Sequence, residues 1–357
     1  MARISLKNLS FTYPGAASST LSALNLTIAD GEAHALLGAS GAGKTTLLNI
    51  LSGLLAPTSG ALYFDEQDVS QQTGRARNVA QVFQFPVLYE SLSVAENLAF
   101  PLKTRKTSAR LIADRVGYIC SELEIEHLLK LKPAGLSLFQ KQLVAVGKAL
   151  VRPDLSLVLL DEPLTAVEPR TKWRLRQTLK RVQADLKVTM IYVTHDQTEA
   201  LTFADRVSVL TQGGILQTGT PEQVYASPEH EFVGHFVGSP GMNFLPAKAL
   251  GITGVERVGF RPEWAALTTV ETSKTPEARQ QTWTSGSLNG QVLRLRVQGA
   301  RGGRPFGLLT VATEHGEIAV RGELPATSLQ RGDCVKLRVT RGVGYSEQRK
   351  VCDIERL

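Results

Sequence analysis

The run Gly38-Ala39-Ser40-Gly41-Ala42-Gly43-Lys44-Thr45-Thr46 follows the apolar stretch Ala33-His34-Ala35-Leu36-Leu37 and precedes Leu47-Leu48-Asn49-Ile50-Leu51. That order predicts a strand, a glycine-rich loop and the first turn of a helix, which together cradle phosphate. Glycine lets successive backbone N–H groups turn inward where a Cβ would obstruct them. The helix start adds its own free N–H groups and a favourable dipole. Gly38, Ser40, Gly41, Ala42, Gly43, Lys44, Thr45 and Thr46 are therefore candidate nucleotide contacts. Lys44 is expected to reach the outer phosphates, and the Thr45 hydroxyl to sit on Mg²⁺. A second run, Leu157-Val158-Leu159-Leu160-Asp161-Glu162-Pro163, ends a buried strand in two carboxylates. Beside a phosphate loop, Asp161 suits Mg²⁺, directly or through water. Glu162 suits polarisation of an attacking water as a general base.

These groups need elements to hold them at one place. Strand-like segments cover residues 2–7, 24–28, 33–37, 61–64 and 79–83. Residues 93–131 then carry apolar positions at helical spacing, which predicts a helical insert of about three helices, the first broken at Pro101. A helix near 140–151, a strand at 155–160, a helix near 169–185, a strand at 188–193 and a helix from 196 follow. Buried strands alternating with helices predict a parallel sheet covered on both faces. Gly238-Ser239-Pro240-Gly241 reads as a boundary. Beyond it, alternating segments at 292–297, 308–311 and 335–339 predict a small all-β domain, a barrel or sandwich of the oligonucleotide/oligosaccharide-binding kind. The expected fold class is thus an α/β P-loop domain over 1–238, with a helical subdomain near 86–155, and a C-terminal β-barrel domain over 239–357.

Bulk properties narrow the class. At 357 residues the chain has room for two or three cores. No apolar stretch approaches the length that crosses a bilayer. The start, Met1-Ala2-Arg3-Ile4-Ser5-Leu6-Lys7, alternates like a strand and does not read as a signal peptide. Cys120, Cys334 and Cys352 are widely spaced and fit neither a disulfide framework nor a zinc site, which suggests a reducing compartment. Net charge is +7, and residues 240–357 hold 17 Lys and Arg against 11 Asp and Glu. The excess is scattered along strands without interleaved aromatics, so a solvated surface is preferred to a nucleic-acid face, and no nucleic-acid partner is expected.

Taken together, the motifs resemble the ATP-binding subunits of ABC transporters nearly end to end. More narrowly, the chain is similar to the carbohydrate-uptake importer ATPases, the group that includes the maltose and glycerol-3-phosphate systems. The resemblance implies further roles. Tyr13, in Phe11-Thr12-Tyr13-Pro14, matches the aromatic that stacks on adenine. Gln84, in Val82-Phe83-Gln84-Phe85-Pro86, matches the glutamine that links the γ-phosphate and Mg²⁺ to the membrane partner. His195, in Val193-Thr194-His195-Asp196, matches the histidine that contacts the γ-phosphate. Phe260-Arg261-Pro262-Glu263 matches an Arg-Pro-Glu element of the β-rich regulatory domain. Two departures stand out. The family's signature loop, Leu-Ser-Gly-Gly-Gln, here reads Leu136-Ser137-Leu138-Phe139-Gln140. Ser137 and Gln140 remain as nucleotide contacts, but Leu138 and Phe139 put bulk where backbone approaches the phosphate of the opposite subunit. The loop after the catalytic glutamate ends in Glu168 where the family has aspartate.

The resemblance implies an ATPase that uses ATP and Mg²⁺ to drive import of a small polar solute: a sugar, a polyol such as glycerol, or glycerol phosphate. Its implied partners are two transmembrane permease subunits, a periplasmic or extracellular solute-binding protein acting indirectly, and a second ATPase subunit. The altered signature favours a heterodimer over a homodimer. The implied location is peripheral, on the cytoplasmic face of the inner membrane. Two alternatives stay open here: a largely non-hydrolytic regulatory subunit, and a soluble ABC ATPase outside transport.

Overall fold

A computed structural model describes residues 2–271, 286–301, 304–324 and 329–354. The chain divides into two compact units, Met1–Pro221 and Glu222–Leu357. The first runs β1 (Ile4–Phe11), β2 (Leu21–Ile28), β3 (Ala33–Gly38), α1 (Lys44–Ser52), β4 (Ser59–Phe64), β5 (Gln67–Asp68) and β6 (Val79–Val82). Next come α2 (Val94–Lys103), α3 (Ala109–Leu123) and α4 (Leu138–Leu150). It closes with β7 (Leu157–Asp161), α5 (Pro169–Leu186), β8 (Met190–Thr194), α6 (Gln197–Phe203), β9 (Arg206–Thr211) and β10 (Gly214–Gly219).

A six-stranded sheet has the order β10-β9-β3-β8-β7-β6. Strands β9, β3, β8, β7 and β6 are parallel, and β10 pairs antiparallel at the edge. All six residues of β3 are buried, as are the first four of β7 and all five of β8, which is why these strands read as unbroken apolar runs. The parallel sheet expected from the sequence is present. The first-read strands at 2–7, 24–28 and 61–64 lie elsewhere, in a separate antiparallel sheet of order β2-β1-β4-β5. Helix α1 shares one core with both sheets, through Leu47, Leu48, Ile50 and Leu51 against Ile4, Leu9 and Leu62 and against Leu36, Leu157 and Ile191. That burial on both faces fixes the helix start, and with it the loop before it.

Within 93–131 the expected insert holds two α-helices, α2 and α3, and a short 3-10 turn at Glu126–Leu128, while α4 is the helix expected near 140–151. Pro101 does not break α2, which continues to Lys103. The missing N–H falls in the last turn, so one backbone bond is lost where the helix is about to end. Ser93 and Glu96 secure the other end with a capping box.

The second unit contains most of α7 (Pro221–Ala226) and all of α8 (Glu231–Phe236), then β11 (Asn243–Pro246), β12 (Arg257–Phe260), β13 (Ala265–Glu271), β14 (Ser287–Arg301) and β15 (Arg304–Thr313). It ends with β16 (Gly316–Glu323), β17 (Cys334–Val339), β18 (Gly342–Ser346) and β19 (Arg349–Ile354). The described strands form two sheets, β11-β12-β18-β19 and β13-β17-β14-β15-β16, in place of a single closed barrel. Leu245, Val258 and Phe260 of one and Leu288, Leu309, Val311 and Leu337 of the other share a core. The unit begins at Glu222, well before the Gly238–Gly241 turn. Arg261 explains why. Its fully buried guanidinium donates to the Tyr225 carbonyl (3.0 and 2.6 Å), the Gly234 carbonyl (2.9 Å) and the Val237 carbonyl. It also stacks 4.2 Å from the Tyr225 ring centroid. One arginine thereby ties the segment holding α7 and α8 to the β-domain.

This tie makes two truncations differ. A chain ended after Pro221 is expected to melt cooperatively and to bind nucleotide. A chain ended after Ser239 keeps α7 and α8 without Arg261, so the Tyr225, Gly234 and Val237 carbonyls lose the donor that holds this segment to the strands of the second unit. The longer fragment should therefore show faster amide exchange across 222–237 than the full chain. Equal protection there in both would refute the assignment of these helices to the second unit.

Candidate nucleotide-binding site

Parallel strands bring their C-terminal ends to one edge. In register, Leu37 of β3 lies opposite Thr194 of β8, and Val193 of β8 opposite Asp161 of β7. The glycine loop after β3, the carboxylates after β7 and His195 after β8 therefore emerge side by side. The loop's shape is dictated at its ends. A Cβ on Gly38 would stand 2.5 Å from the Leu210 carbonyl oxygen of β9. Gly43 holds φ at +93°, in the left-handed region, and a Cβ there would meet Leu21 at 2.7 Å. Only glycine fits either place.

Lys44 is buried, and its ammonium donates to the Gly38 carbonyl (2.7 Å) and the Ala39 carbonyl (2.9 Å), lying across the loop. Burial holds it below the ordinary lysine range, against the pull of Glu162 and Asp161. Burial also pushes the Asp161 carboxyl above the usual carboxylate range, helped by the neighbouring Glu162 charge and opposed by Lys44. Charges are thus concentrated where solvent is scarce, an arrangement characteristic of functional sites. Glu162 sits at φ +45°, a strained backbone for a residue with a Cβ. Its N–H donates to the Val193 carbonyl (2.9 Å). One carboxylate oxygen meets His195 Nδ1 at 3.1 Å and the other accepts from the Thr165 hydroxyl at 3.0 Å. Glu162 and His195 are thereby brought together, as the motifs imply.

Tyr13 is part-exposed beside the helix start, its hydroxyl 3.2 Å from the Thr46 hydroxyl. A T-shaped contact with Phe11 at 4.8 Å fixes the ring. Thr45 is exposed at the first turn of α1, and Gln84 is half-buried just beyond β6. The donors Thr45, Gln84 and Asp161 are all oxygen donors, which suits a hard divalent cation. The half-buried Asp161 carboxyl, raised by desolvation and by Glu162, is short of positive charge, and this also fits Mg²⁺. Ser137 and Gln140 stand apart from this group. Ser137 caps α4, accepting from Gln140 N–H (3.2 Å), while Gln140 Oε1 accepts from Ser137 N–H (2.9 Å). Among the described residues, no hydrogen bond joins either to the phosphate loop. Leu138 is exposed, and the Phe139 ring lies 5.9 Å from the Arg174 guanidinium.

Several positioning residues escaped the sequence reading. Thr194 and Tyr192 donate to Glu199 (2.8 and 3.1 Å), and Asp196 caps α6 through Thr198 N–H (2.8 Å), so His195 stands on a braced turn. Gln142 donates to the Phe83 carbonyl (3.2 Å), steadying the segment that carries Gln84. The Asp-x-x-Glu spacing 196–199 was a legible capping signal for the first; the second depends on tertiary contact and left no local sign.

The chain has relatives among known proteins. Residues 21–165 match the ABC transporter family. The sn-glycerol-3-phosphate import ATP-binding protein UgpC of Chromobacterium violaceum is 42% identical over 249 residues, covering 70% of this chain and 67% of that one. The chain belongs to the ATP-binding subunits of ABC importers. The UgpC of Rhizobium meliloti is 41% identical over 274 residues, covering 74% and 78%. The trehalose import ATP-binding protein SugC of Mycobacterium tuberculosis is 42% identical over 255 residues, covering 71% and 64%. Among solved structures, cbiO1 of Clostridium perfringens, part of the ABC transporter complex cbiONQ, aligns with a TM-score of 0.59 at 30% identity, covering 63% of this chain and 90% of that one. As a member of this family, the importer subunit binds ATP, couples its hydrolysis to import and works with permease subunits. No helix among the described residues is long and apolar enough to cross a membrane.

The Asp161 shift has a sign that can be checked. A carboxyl whose folded pKa is raised destabilises the fold once it ionises. The cost is absent at low pH and appears as pH rises through the folded value. Asp161→Asn should therefore raise the melting temperature of nucleotide-free protein at pH 7, with the gain shrinking towards zero near pH 3. A gain that is the same at both pH values would show that the carboxylate charge is not its cause.

Proposed function

We propose that this importer subunit binds Mg-ATP on Gly38–Thr46, with Tyr13 against the adenine, and hydrolyses it with Glu162 as general base. The observation that carries the reading is the contact of Glu162 with His195 (3.1 Å) at the sheet edge that also holds Lys44 and Asp161. Lys44 moves from the loop carbonyls to the outer phosphates. Glu162 takes a proton from the attacking water, and His195 orients that carboxylate and meets the γ-phosphate. Thr45, Asp161 and Gln84 would hold Mg²⁺, which supplies charge neutralisation on the phosphates. Exposed Phe83, Phe85, Val87 and Tyr89 beside Gln84 support docking of a permease segment there. The names of the relatives, for sn-glycerol-3-phosphate and trehalose import, support a glycerol phosphate or a sugar as solute; a polyol, the cytoplasmic face of the inner membrane and a solute-binding protein acting from outside belong to the same proposal.

The signature loop adds a finer reading. ABC sites close when one subunit's phosphate loop meets the other's signature. In a homodimer both sites would face Leu138 and Phe139. Intact Lys44, Asp161, Glu162 and His195 suit a partner that supplies a good signature. We therefore infer a heterodimer with one hydrolytic site, built on this chain's catalytic residues, and one slow site closed by Leu136–Gln140.

Glu162→Gln in the assembled transporter should keep ATP binding and lower turnover by roughly 10²–10⁴-fold, the usual worth of a general base. Wild-type turnover would remove Glu162 from that role. The heterodimer is tested by subunit stoichiometry. A purified, fully active transporter with two copies of this chain and no second ATPase would end it. Restored glycines (Leu138→Gly with Phe139→Gly) should raise turnover at the second site.

A further inference from the structure

The opposite end of the sheet holds charges that ATP chemistry does not use. A cleft of about 420 Å³ lies at the N-terminal end of edge strand β6, between the segment leading into it and the C-terminal ends of α2 and α4. Arg75, Arg105 and Arg152 all line it, with Thr104, Val79 and Pro101. The volume falls within the range of small-molecule sites. Arg105 is held by Asn78 (2.8 Å) and by an ion pair with Asp154. Arg152 donates to the Val79 carbonyl at 2.8 Å. Arg75 is exposed, and its side chain has no ion pair or hydrogen bond among the described residues. Of these three guanidinium groups, only Arg105 is in an ion pair among the described residues, with Asp154. Burial first, and then the like charge of Arg105, hold Arg152 below its ordinary value, with Asp154 opposing. Arg77, two residues from Arg75, has another role. It is buried and donates to the Ile50, Leu51 (3.2 Å) and Ser70 (3.1 Å) carbonyls.

Arg152 is fixed by a neutral carbonyl, Arg105 by Asn78 and Asp154, and the Arg75 side chain has no partner among the described residues; beside a void, these like charges leave room for an anion. Arginine is the side chain suited to it, since its fork matches tetrahedral oxyanions bidentately. We propose that this cleft binds a phosphate-class oxyanion, held by Arg75, Arg105 and Arg152. The phosphate group has two sources: a free phosphate or phosphate monoester, and the headgroup of an anionic lipid. Either would join the ends of α2 and α4 to the strand that leads to Gln84.

The test must separate this cleft from the phosphate loop. Inorganic phosphate is titrated calorimetrically into the full chain carrying Lys44→Ala. Binding should persist there and weaken roughly tenfold on adding Arg75→Ala, the loss of one charge-assisted contact. Arg331→Ala, which removes an exposed charge from the second unit, should change nothing. In parallel, the chain is sedimented with phosphatidylglycerol or phosphatidylcholine vesicles. Arg75-dependent binding of free phosphate identifies the soluble source. Arg75-dependent binding of phosphatidylglycerol vesicles without free-phosphate binding identifies the lipid. Phosphate binding that disappears with Lys44→Ala alone, with vesicle binding indifferent to Arg75, overturns the proposal. Arg75 is exposed, so its variant is expected to fold.

Discussion

Everything at the nucleotide edge depends on one close approach, that of the backbone at Gly38 to the Leu210 carbonyl. Because no side chain separates β3 from β9 there, the strand can run fully buried to its last residue and turn at once into the loop. Lys44 then closes the loop from within by bonding to its carbonyls, at the edge where phosphate is proposed to bind. The carboxylates on β7 and the histidine after β8 owe their nearness to the same parallel register.

Electrostatics at this edge is unbalanced by construction. Burial disfavours charge on Lys44 and on Asp161, yet each is the other's nearby compensation. A triphosphate and a divalent cation would bring charge of both signs. Desolvated charge of this kind is common at functional sites. The left-handed backbone at Glu162 belongs to the same pattern, and its carboxylate holds both the Thr165 and His195 contacts.

The sequence disclosed the site far better than its support. Phosphate loops and strand-end carboxylates are local patterns with a fixed chemistry, so Lys44, Asp161 and Glu162 were readable without tertiary knowledge. Strand alternation at 2–7 and 24–28 was equally readable, but which sheet those strands join is decided by partners far along the chain. Pro101 misled because a proline's cost depends on how much helix follows it. The division of the chain into units also rests on a contact that no local pattern signals. Gly238–Gly241 has the composition of a linker, yet Arg261, more than twenty residues further, reaches back to three carbonyls before it. A hydrogen-bond anchor of that kind carries no periodicity and no turn signal.

The signature loop shows what can be lost without losing structure. Two glycines have become Leu138 and Phe139, and the helix start survives because Ser137 and Gln140 satisfy each other's backbone N–H groups. The capping box requires side chains only at its first and last positions, so the middle two are free to change as far as folding is concerned. Arg174 lies over the Phe139 ring and gives it a local contact. Folding therefore places no penalty on the substitution that closing over a phosphate would. On the proposed reading, the constraint that ordinarily keeps glycine there is functional. The half of an ATP site that this chain would offer to its own nucleotide then keeps its motif residues, and the half it would offer to a partner's nucleotide is altered.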